Sequence, residues 1–281
     1  MRNAPSNADL PATTIESGGD AKSQPGSQTL LRGLDVIDAV IDGPITLADL
    51  AAKLGLTRST THRLATALID RRYLTFVPRL GYHFGPKLLE LGFHAQQQTD
   101  LVQVARPHLE DLAAATEDTV HLGVVDSERA LYLDKIPGRR RVEISSRVGD
   151  RQPLTSTGLG KALLLDDDPR HWLKLFEEDR ASGAPPVDYA TWEERMRGYV
   201  AVGRAFDLEE NEDLIRCVAA PIRGVGGQIV AAISVSSAAQ YMADDRMQAL
   251  SDEVRATAMA VSRDLGWTEG AARRAPPRSR R

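Results

Sequence analysis

The sequence predicts an α+β protein in which an N-terminal winged helix-turn-helix and a linker helix precede a larger domain built on an antiparallel sheet. Three observations lead to this fold class. The chain has 281 residues, which is enough for two separate hydrophobic cores. Residues 46–68 have the pattern of two short helices joined by a turn at Gly55. From about Thr99, strand-like runs joined by short turns are interspersed with helical patterns.

The composition is that of an ordinary globular protein, with 42% hydrophobic and 26% charged residues and a net charge of −4. No apolar run reaches the roughly 18 residues that a membrane span requires. The N-terminus lacks a basic start followed by an apolar stretch, so we expect no signal peptide and a cytoplasmic location. The single cysteine, Cys217, excludes an internal disulfide framework and a cysteine-rich zinc module.

Five segments are expected along the chain. They are a disordered tail (1–26), a winged helix-turn-helix domain (27–85), a linker helix (86–98), an effector-binding domain (99–267) and a basic disordered tail (268–281). The two tails lack apolar periodicity and are rich in small, polar or arginine residues. The linker helix carries more apolar residues than one buried stripe needs, which suggests contact with a second subunit.

The first helix is predicted from about Gln28 to Ile41, with one apolar face formed by Leu30, Leu34, Ile37 and Ile41. Gly43 and Pro44 end it. Thr46 is then a suitable N-cap for a second helix, with the acidic Asp49 three residues later in its first turn.

The third helix begins at Thr57 and has the character of a DNA recognition helix. Four arginines and one aspartate between Thr57 and Arg72 give this stretch a net charge of +3. Its outward residues are of the types that bind phosphates and base edges, namely Thr57, Arg58, Ser59, Thr60, His62 and Arg63. Strands at Tyr73–Phe76 and Tyr82–Phe84 follow as a wing, with Arg79 at its tip. An ordinary helical hairpin without DNA binding is the alternative.

The C-terminal domain is expected to begin with a helix over Asp100–Thr116 that is broken near Pro107. The remaining elements are strands that start near Val120, Ala130, Val142, Cys217 and Gln228, a GLGKALLL segment at Gly158, and helices around Trp172, around Trp192 and over Ala249–Leu265.

The same domain contains two features that are typical of a ligand site. Thr155, Ser156 and Thr157 precede an apolar helix, so one of them should cap it and leave the amides of Gly158 to Gly160 available to a carboxylate. Ser234 and Ser236 are two residues apart on an apolar strand and therefore share one face. A bound ligand or neighbouring backbone would be needed to pair these hydroxyls.

The chain resembles the IclR family of bacterial transcriptional regulators over about residues 28 to 266. The resemblance rests on STTHRLATAL (Ser59 to Leu68), RVGDRQPLTSTGLGKALLL (Arg147 to Leu165), DLEENEDLIRCVAAPI (Asp207 to Ile222) and AAISVS (Ala231 to Ser236). It implies a GAF/PAS-like effector domain, a homodimer or dimer of dimers, and repression of a catabolic operon. The implied effector is an organic acid, a sugar acid or an aromatic compound. The implied effector-binding residues are Gly158, Leu159, Asp207, Cys217, Ser234 and Ser236.

Asp207 does not suit an acidic effector unless the carboxyl group is protonated or accepts a hydrogen bond from a ligand hydroxyl. Arg141 and Arg147, expected on a preceding strand, are candidates to compensate its charge.

Four other functions remain open. An enzyme would use Cys217 with His121 or His171, but no spacing enforces such a pair. A metal sensor would need clustered ligands, whereas the six histidines have no metal-binding spacing. The C-terminal domain would alternatively only oligomerise, or Cys217 would act as a redox sensor. We expect no catalytic residues, no cofactor and no metal.

Overall fold

The computed structural model describes residues 25–140, 144–181, 183 and 187–269. Most of both predicted tails, Arg141, and the first residues of the strand predicted at Val142 lie outside this part. The chain divides into two compact units, residues 1–94 and 95–281. Among the described residues, no helix is long and apolar enough to cross a membrane.

The N-terminal unit contains four helices and a β-hairpin within its described residues. The elements are α1 (Pro25–Asp38), α2 (Leu47–Leu54), α3 (Arg58–Asp70), β1 (Leu74–Val77), β2 (Gly81–Phe84) and α4 (Pro86–Gln98), whose last turn extends beyond the unit. Thr46 caps α2, and Gly55 ends it in the left-handed conformation at a φ of 63°. The predicted helix-turn-helix and wing are therefore present.

The buried face of α1 is not the predicted one. Val36 on α1 enters the core together with Ala39 and Val40 in the turn that follows, whereas Leu30 and Leu34 are 65% and 49% exposed. Two apolar faces exist on this segment, and periodicity alone does not say which of them meets the rest of the domain. The helix also ends at Asp38, so Ile41 lies in the following turn and is exposed.

Gly81 fixes the wing to the helical part of the domain. Tyr82 exchanges backbone hydrogen bonds of 2.9 Å with Ile45, which lies between α1 and α2. Gly81 has a φ of 105°, and a Cβ there would overlap the carbonyl oxygen of Ile45. Only glycine combines this backbone angle with such a close approach.

We expect Gly81→Ala to lower the unfolding free energy of the N-terminal unit by about 2 kcal/mol, because the variant is strained in both backbone angle and contact. Urea unfolding followed by circular dichroism measures the loss. Gly92→Ala is the matched control, since a Cβ at Gly92 on α4 meets nothing within 4 Å. Equal stability of the two variants would contradict the assigned role of Gly81.

The C-terminal unit is a six-stranded antiparallel sheet with helices packed against it. The strands are β3 (Thr119–Asp126), β4 (Arg129–Ile136), β5 (Arg151–Gln152), β6 (Ala205–Leu208), β7 (Ile215–Arg223) and β8 (Ile229–Ala238), in the order β5-β4-β3-β8-β7-β6. The helices are α5 (Leu101–Thr116), α6 (Gly158–Leu163), α7 (Pro169–Ala181), α8 (Tyr189–Val202) and α9 (Asp244–Asp264). The α+β fold class is confirmed.

In the C-terminal unit, the structure differs in kind from the prediction at Pro107 and over residues 144–148. Helix α5 continues through Pro107. Proline has no N–H group, so the Gln103 carbonyl loses its helical hydrogen bond. Both residues are exposed, and solvent can therefore replace this hydrogen bond. Residues 144–148 form a loop instead of the predicted strand. The Lys135 ammonium donates to the carbonyls of Ile144 and Ser146 at 2.7 and 2.6 Å, which replaces ladder hydrogen bonds there.

Candidate functional site

The recognition helix α3 presents most of the predicted residues to solvent. The cap at its start forms as Thr57 Oγ1 accepts from the Thr60 amide at 3.3 Å and donates to Thr60 Oγ1 at 2.9 Å. Thr61, which was not predicted as a site residue, is buried and donates to the Thr57 carbonyl. The hydroxyls of Thr57 and Thr60 are thus partly used by the cap, and Thr60 is only half-exposed.

The remaining predicted residues of the recognition helix are Arg58, Ser59, His62 and Arg63, and all four are exposed. Among the described residues, neither arginine of this set forms an ion pair. Unpaired guanidinium groups on the outer face of a helix are well suited to phosphates and to guanine edges. This face therefore offers positive charge without a competing carboxylate partner.

Arg79 lies at the tip of the wing, between β1 and β2, and its side chain is exposed. Its φ of 71° is in the left-handed region, which is unusual for a residue with a side chain. The hairpin thus projects a cation at its turn, as the sequence predicts.

In the C-terminal unit, strand register brings three predicted effector residues into one row. Asp207 on β6 is opposite Cys217 on β7, and Cys217 is opposite Ser236 on β8. Residues directly opposite each other in an antiparallel sheet share a face. These three side chains line a small cavity of about 40 Å³.

The cavity has further wall residues that were not among the predicted effector contacts. They are His121, Tyr132, Ile144, Ser145, Ser146, Gln152, Thr157, Asn211, Glu212 and Ile215. His121 lies inside the apolar run VHLGVV, and this position could have indicated a polar site, because a buried imidazole needs hydrogen-bond partners. The other residues could be assigned to the cavity only after the strand pairing was known.

Gly158 and Leu159 are buried and are not among the residues that line the cavity. A Cβ at Gly158 would overlap Cys217 Sγ, and the thiol sulfur interacts with the Gly158 amide. Leu159 packs against Gly123. Thr157 is the cap of α6, accepting from the Gly160 amide at 3.0 Å. The predicted carboxylate site on the amides of Gly158 to Gly160 is therefore not open to this cavity.

Ser234 shares the face of Ser236 but is not part of the cavity wall. It is opposite Ala219 on β7 and His121 on β3. Its side chain is buried. Of the two serines that were expected to act as a pair, only Ser236 lines the cavity.

A buried network of charged residues lies close to Asp207 and interacts with its carboxyl group. The Lys161 side chain is 1% exposed, donates to the Phe206 carbonyl at 2.9 Å and contacts the Glu210 carboxylate. Arg195 binds the second oxygen of Glu210 at 2.6 Å. Burial raises the pKa of Asp207 to about 7, and the charge of Lys161 opposes this shift. Burial lowers the pKa of Lys161 to about 8.

The environment of Cys217 differs from that of a reactive thiol. Burial, followed by the charge of Asp207, raises the pKa of this thiol to about 12. Redox-sensing cysteines are exposed and have lowered pKa values. The structure thus argues against the redox alternative. Among the described residues, no group of three potential metal ligands is clustered.

Two family models match the chain. The IclR helix-turn-helix domain matches residues 29–78, which include α2 and α3, and the bacterial transcriptional regulator IclR C-terminal domain matches residues 93–263, which include the cavity. The chain belongs to the IclR family of bacterial transcriptional regulators. It is therefore a DNA-binding regulator and not an enzyme.

Relatives and solved structures of the IclR family agree with this assignment. The HTH-type transcriptional regulator XynR of Escherichia coli is 30% identical to this chain, and the alignment covers 85% of this chain and 98% of XynR. The E. coli transcriptional repressor IclR is 30% identical over 78% of this chain and 83% of its own. The crystal structure of the Agobacterium tumefaciens repressor BlcR has a TM-score of 0.73 at 25% identity, covering 86% of this chain and 98% of that one.

Proposed function

We propose that this IclR-family regulator represses a catabolic operon in the cytoplasm and that a small effector, bound in the cavity of the C-terminal unit, changes its affinity for the operator. The observation that carries the proposal is the presence, in one chain, of an unpaired basic recognition helix and a buried polar cavity. Such regulators respond to an effector when its affinity differs between the DNA-competent and DNA-incompetent states.

The DNA-binding residues in this proposal are Thr57, Arg58, Ser59, Thr60, His62 and Arg63 on and before α3, with Arg79 on the wing. The arginines and His62 are placed to contact phosphates and base edges, whereas Thr57 also caps the helix. In a winged helix-turn-helix, the second helix of the motif enters the major groove. The wing then extends toward the flanking backbone.

We further propose that the regulator is a homodimer or a dimer of dimers. Helices α1 and α4 each carry large apolar side chains that are exposed in the single chain; Leu30 is 65%, Leu89 79% and Phe93 60% exposed. Apolar surface of this kind is typical of an interface. A symmetric dimer places two recognition helices on two half-sites of a pseudo-palindrome.

The effector is proposed to contact Asp207, Cys217 and Ser236 directly. Gly158, Leu159 and Ser234 support this wall, since Gly158 packs against Cys217 and Ser234 lies in the adjacent row. Organic acids, sugar acids and aromatic compounds are the effector classes that the family resemblance suggests.

Binding to the promoter next to the gene tests the proposal. Fluorescence anisotropy of the full chain should give a tighter Kd for that duplex than for a shuffled duplex of equal length at several salt concentrations. Equal affinity for both duplexes across the salt range would refute sequence-specific regulation at this promoter.

The two serines provide a matched pair for the effector site. We expect Ser236→Ala to weaken the effector response about 10-fold, the size expected for one lost hydrogen bond, and Ser234→Ala to change it less, since only Ser236 lines the cavity. Operator release in a reporter strain grown on candidate carbon sources measures the response. A larger effect of Ser234→Ala would place the effector elsewhere.

A further inference from the structure

His121 contributes to the cavity wall a side chain with a buried polar atom that lacks a hydrogen-bond partner in the described part of the chain. Its side chain is 1% exposed, and Nδ1 has no hydrogen-bond partner among the described residues. Its other ring nitrogen, Nε2, lies 2.8 Å from Ser146 Oγ. Buried polar atoms in folded proteins are nearly always paired, so an unpaired nitrogen in a cavity wall indicates a group that a ligand can satisfy.

The imidazole is held in place before any ligand binds. It stacks on Tyr132 with ring centroids 4.9 Å apart and an interplanar angle of 28°. Burial, together with the nearby charge of Lys135, lowers the pKa of His121 to about 3. The ring is therefore neutral, and Nδ1 accepts or donates a single hydrogen bond according to its tautomer.

The charges on the cavity wall restrict the chemistry of the ligand. The wall contains the carboxyl groups of Asp207 and Glu212 and, among its described residues, no lysine or arginine. Asp207 Oδ1 already accepts from the Glu210 amide at 2.8 Å, but a carboxyl group has further acceptor capacity. Such a wall favours groups that donate hydrogen bonds over groups that carry negative charge.

A hydroxyl group meets these requirements, because it can donate to Asp207 and can accept from or donate to an imidazole nitrogen. The cavity is small, with a volume of about 40 Å³, which matches a compound of few atoms. We propose that His121 is an effector-binding residue and that its Nδ1, together with Asp207, recognises a hydroxyl group of a small hydroxylated compound.

This inference rests on the proposed effector function of the cavity. Neutral compounds and hydroxy acids both carry a hydroxyl group, and the carboxyl groups on the wall favour the neutral ones. Three compounds of three carbons each distinguish a neutral ligand from a hydroxy acid. Propionate carries a carboxylate and no hydroxyl group, and lactate carries both. The third compound, 1,2-propanediol, carries hydroxyl groups and no carboxylate.

Thermal unfolding of the full chain with each probe tests the ligand class. Lactate, 1,2-propanediol or both should raise the Tm of the wild-type protein, because a ligand of the native state stabilises it, and propionate should not. A rise with propionate equal to that with lactate would overturn the recognition of a hydroxyl. A rise with none of the three probes would also overturn this ligand class.

Two variants of His121 distinguish the contribution of Nδ1 to ligand binding from that of Nε2. His121→Asn keeps a polar atom near the position of Nδ1, and His121→Gln keeps one near Nε2. We expect His121→Gln to bind the active probe at least 10-fold more weakly and His121→Asn to lie closer to the wild type. The Tm of each variant without probe reports whether the C-terminal unit is correctly folded.

The outcomes distinguish this inference from the function on which it rests. If Ser236→Ala loses the response and His121→Gln keeps it, the cavity binds the effector and the role of His121 is wrong. If neither variant alters the response to an active probe, the cavity is not the effector site.

Discussion

Replacing Lys161 by methionine is expected to lower the unfolding free energy of the C-terminal unit by about 3–5 kcal/mol, the usual cost of breaking a buried ion pair. Lys161 is the buried cation between Asp207 and Glu210, and methionine is similar in shape but has no charge. The variant leaves two buried carboxyl groups, of which Glu210 keeps Arg195 as a partner.

The loss should depend on pH. Burial already places the folded pKa of Asp207, about 7, above its ordinary value of 3.8, so stability from this group falls as the pH rises through that range. The charge of Lys161 opposes the shift, and its removal raises the folded pKa further. The difference between wild type and variant should therefore be larger at pH 8 than at pH 5.

Urea unfolding at both pH values measures this effect. Lys174→Met is the matched control, because Lys174 pairs with Glu128 at the surface with its side chain 52% exposed. The control should change stability little at either pH. A loss for Lys161→Met as small as that of the control would show that the buried network contributes little to the fold.

Arg63→Ala is expected to weaken operator binding about 10- to 100-fold, the range for losing one bidentate contact to a base, while effector binding stays unchanged. Arg63 is exposed on α3 and has no ion-pair partner among the described residues. Anisotropy titrations with operator duplex and thermal shifts with an active probe measure the two functions separately.

Arg170→Ala, at an exposed position near the start of α7, is the control for the loss of one positive charge. It should leave operator affinity within about twofold, since long-range charge effects are screened at physiological salt. If Arg63→Ala also fails to bind the probe, the variant is misfolded. If it binds operator as tightly as the wild type, Arg63 is not a DNA contact.

Local patterns were sufficient to predict the N-terminal elements. Thr46, Gly55 and Thr57 mark helix ends through capping and left-handed backbone conformations, which depend on a few neighbouring residues. The buried face of α1 was not predictable in this way, because Leu30 and Val36 belong to two apolar faces of one helix. The choice between them depends on which neighbouring surface is available.

The cavity was only partly predictable because it depends on long-range pairing. Asp207, Cys217 and Ser236 came from the family resemblance, and the strand register places them in one row. His121 and Tyr132 lie about 100 residues earlier in the chain, and nothing local connects them to that row. The amides of Gly158 and Leu159 were expected in the cavity, but neither residue lines it, and Gly158 packs closely against Cys217.

The row of Asp207, Cys217 and Ser236 continues to Thr119, which is opposite Ser236 on β3. Four strands from distant parts of the chain therefore have to dock before this wall exists, and no nascent fragment that ends before β8 contains it. A molecule can bind there only when the sheet is complete, so binding should stabilise the folded C-terminal unit as a whole. Proteolysis that requires global unfolding of this unit should therefore slow down when the effector is bound. Effector binding and the resistance of this protein to proteases are therefore expected to increase together.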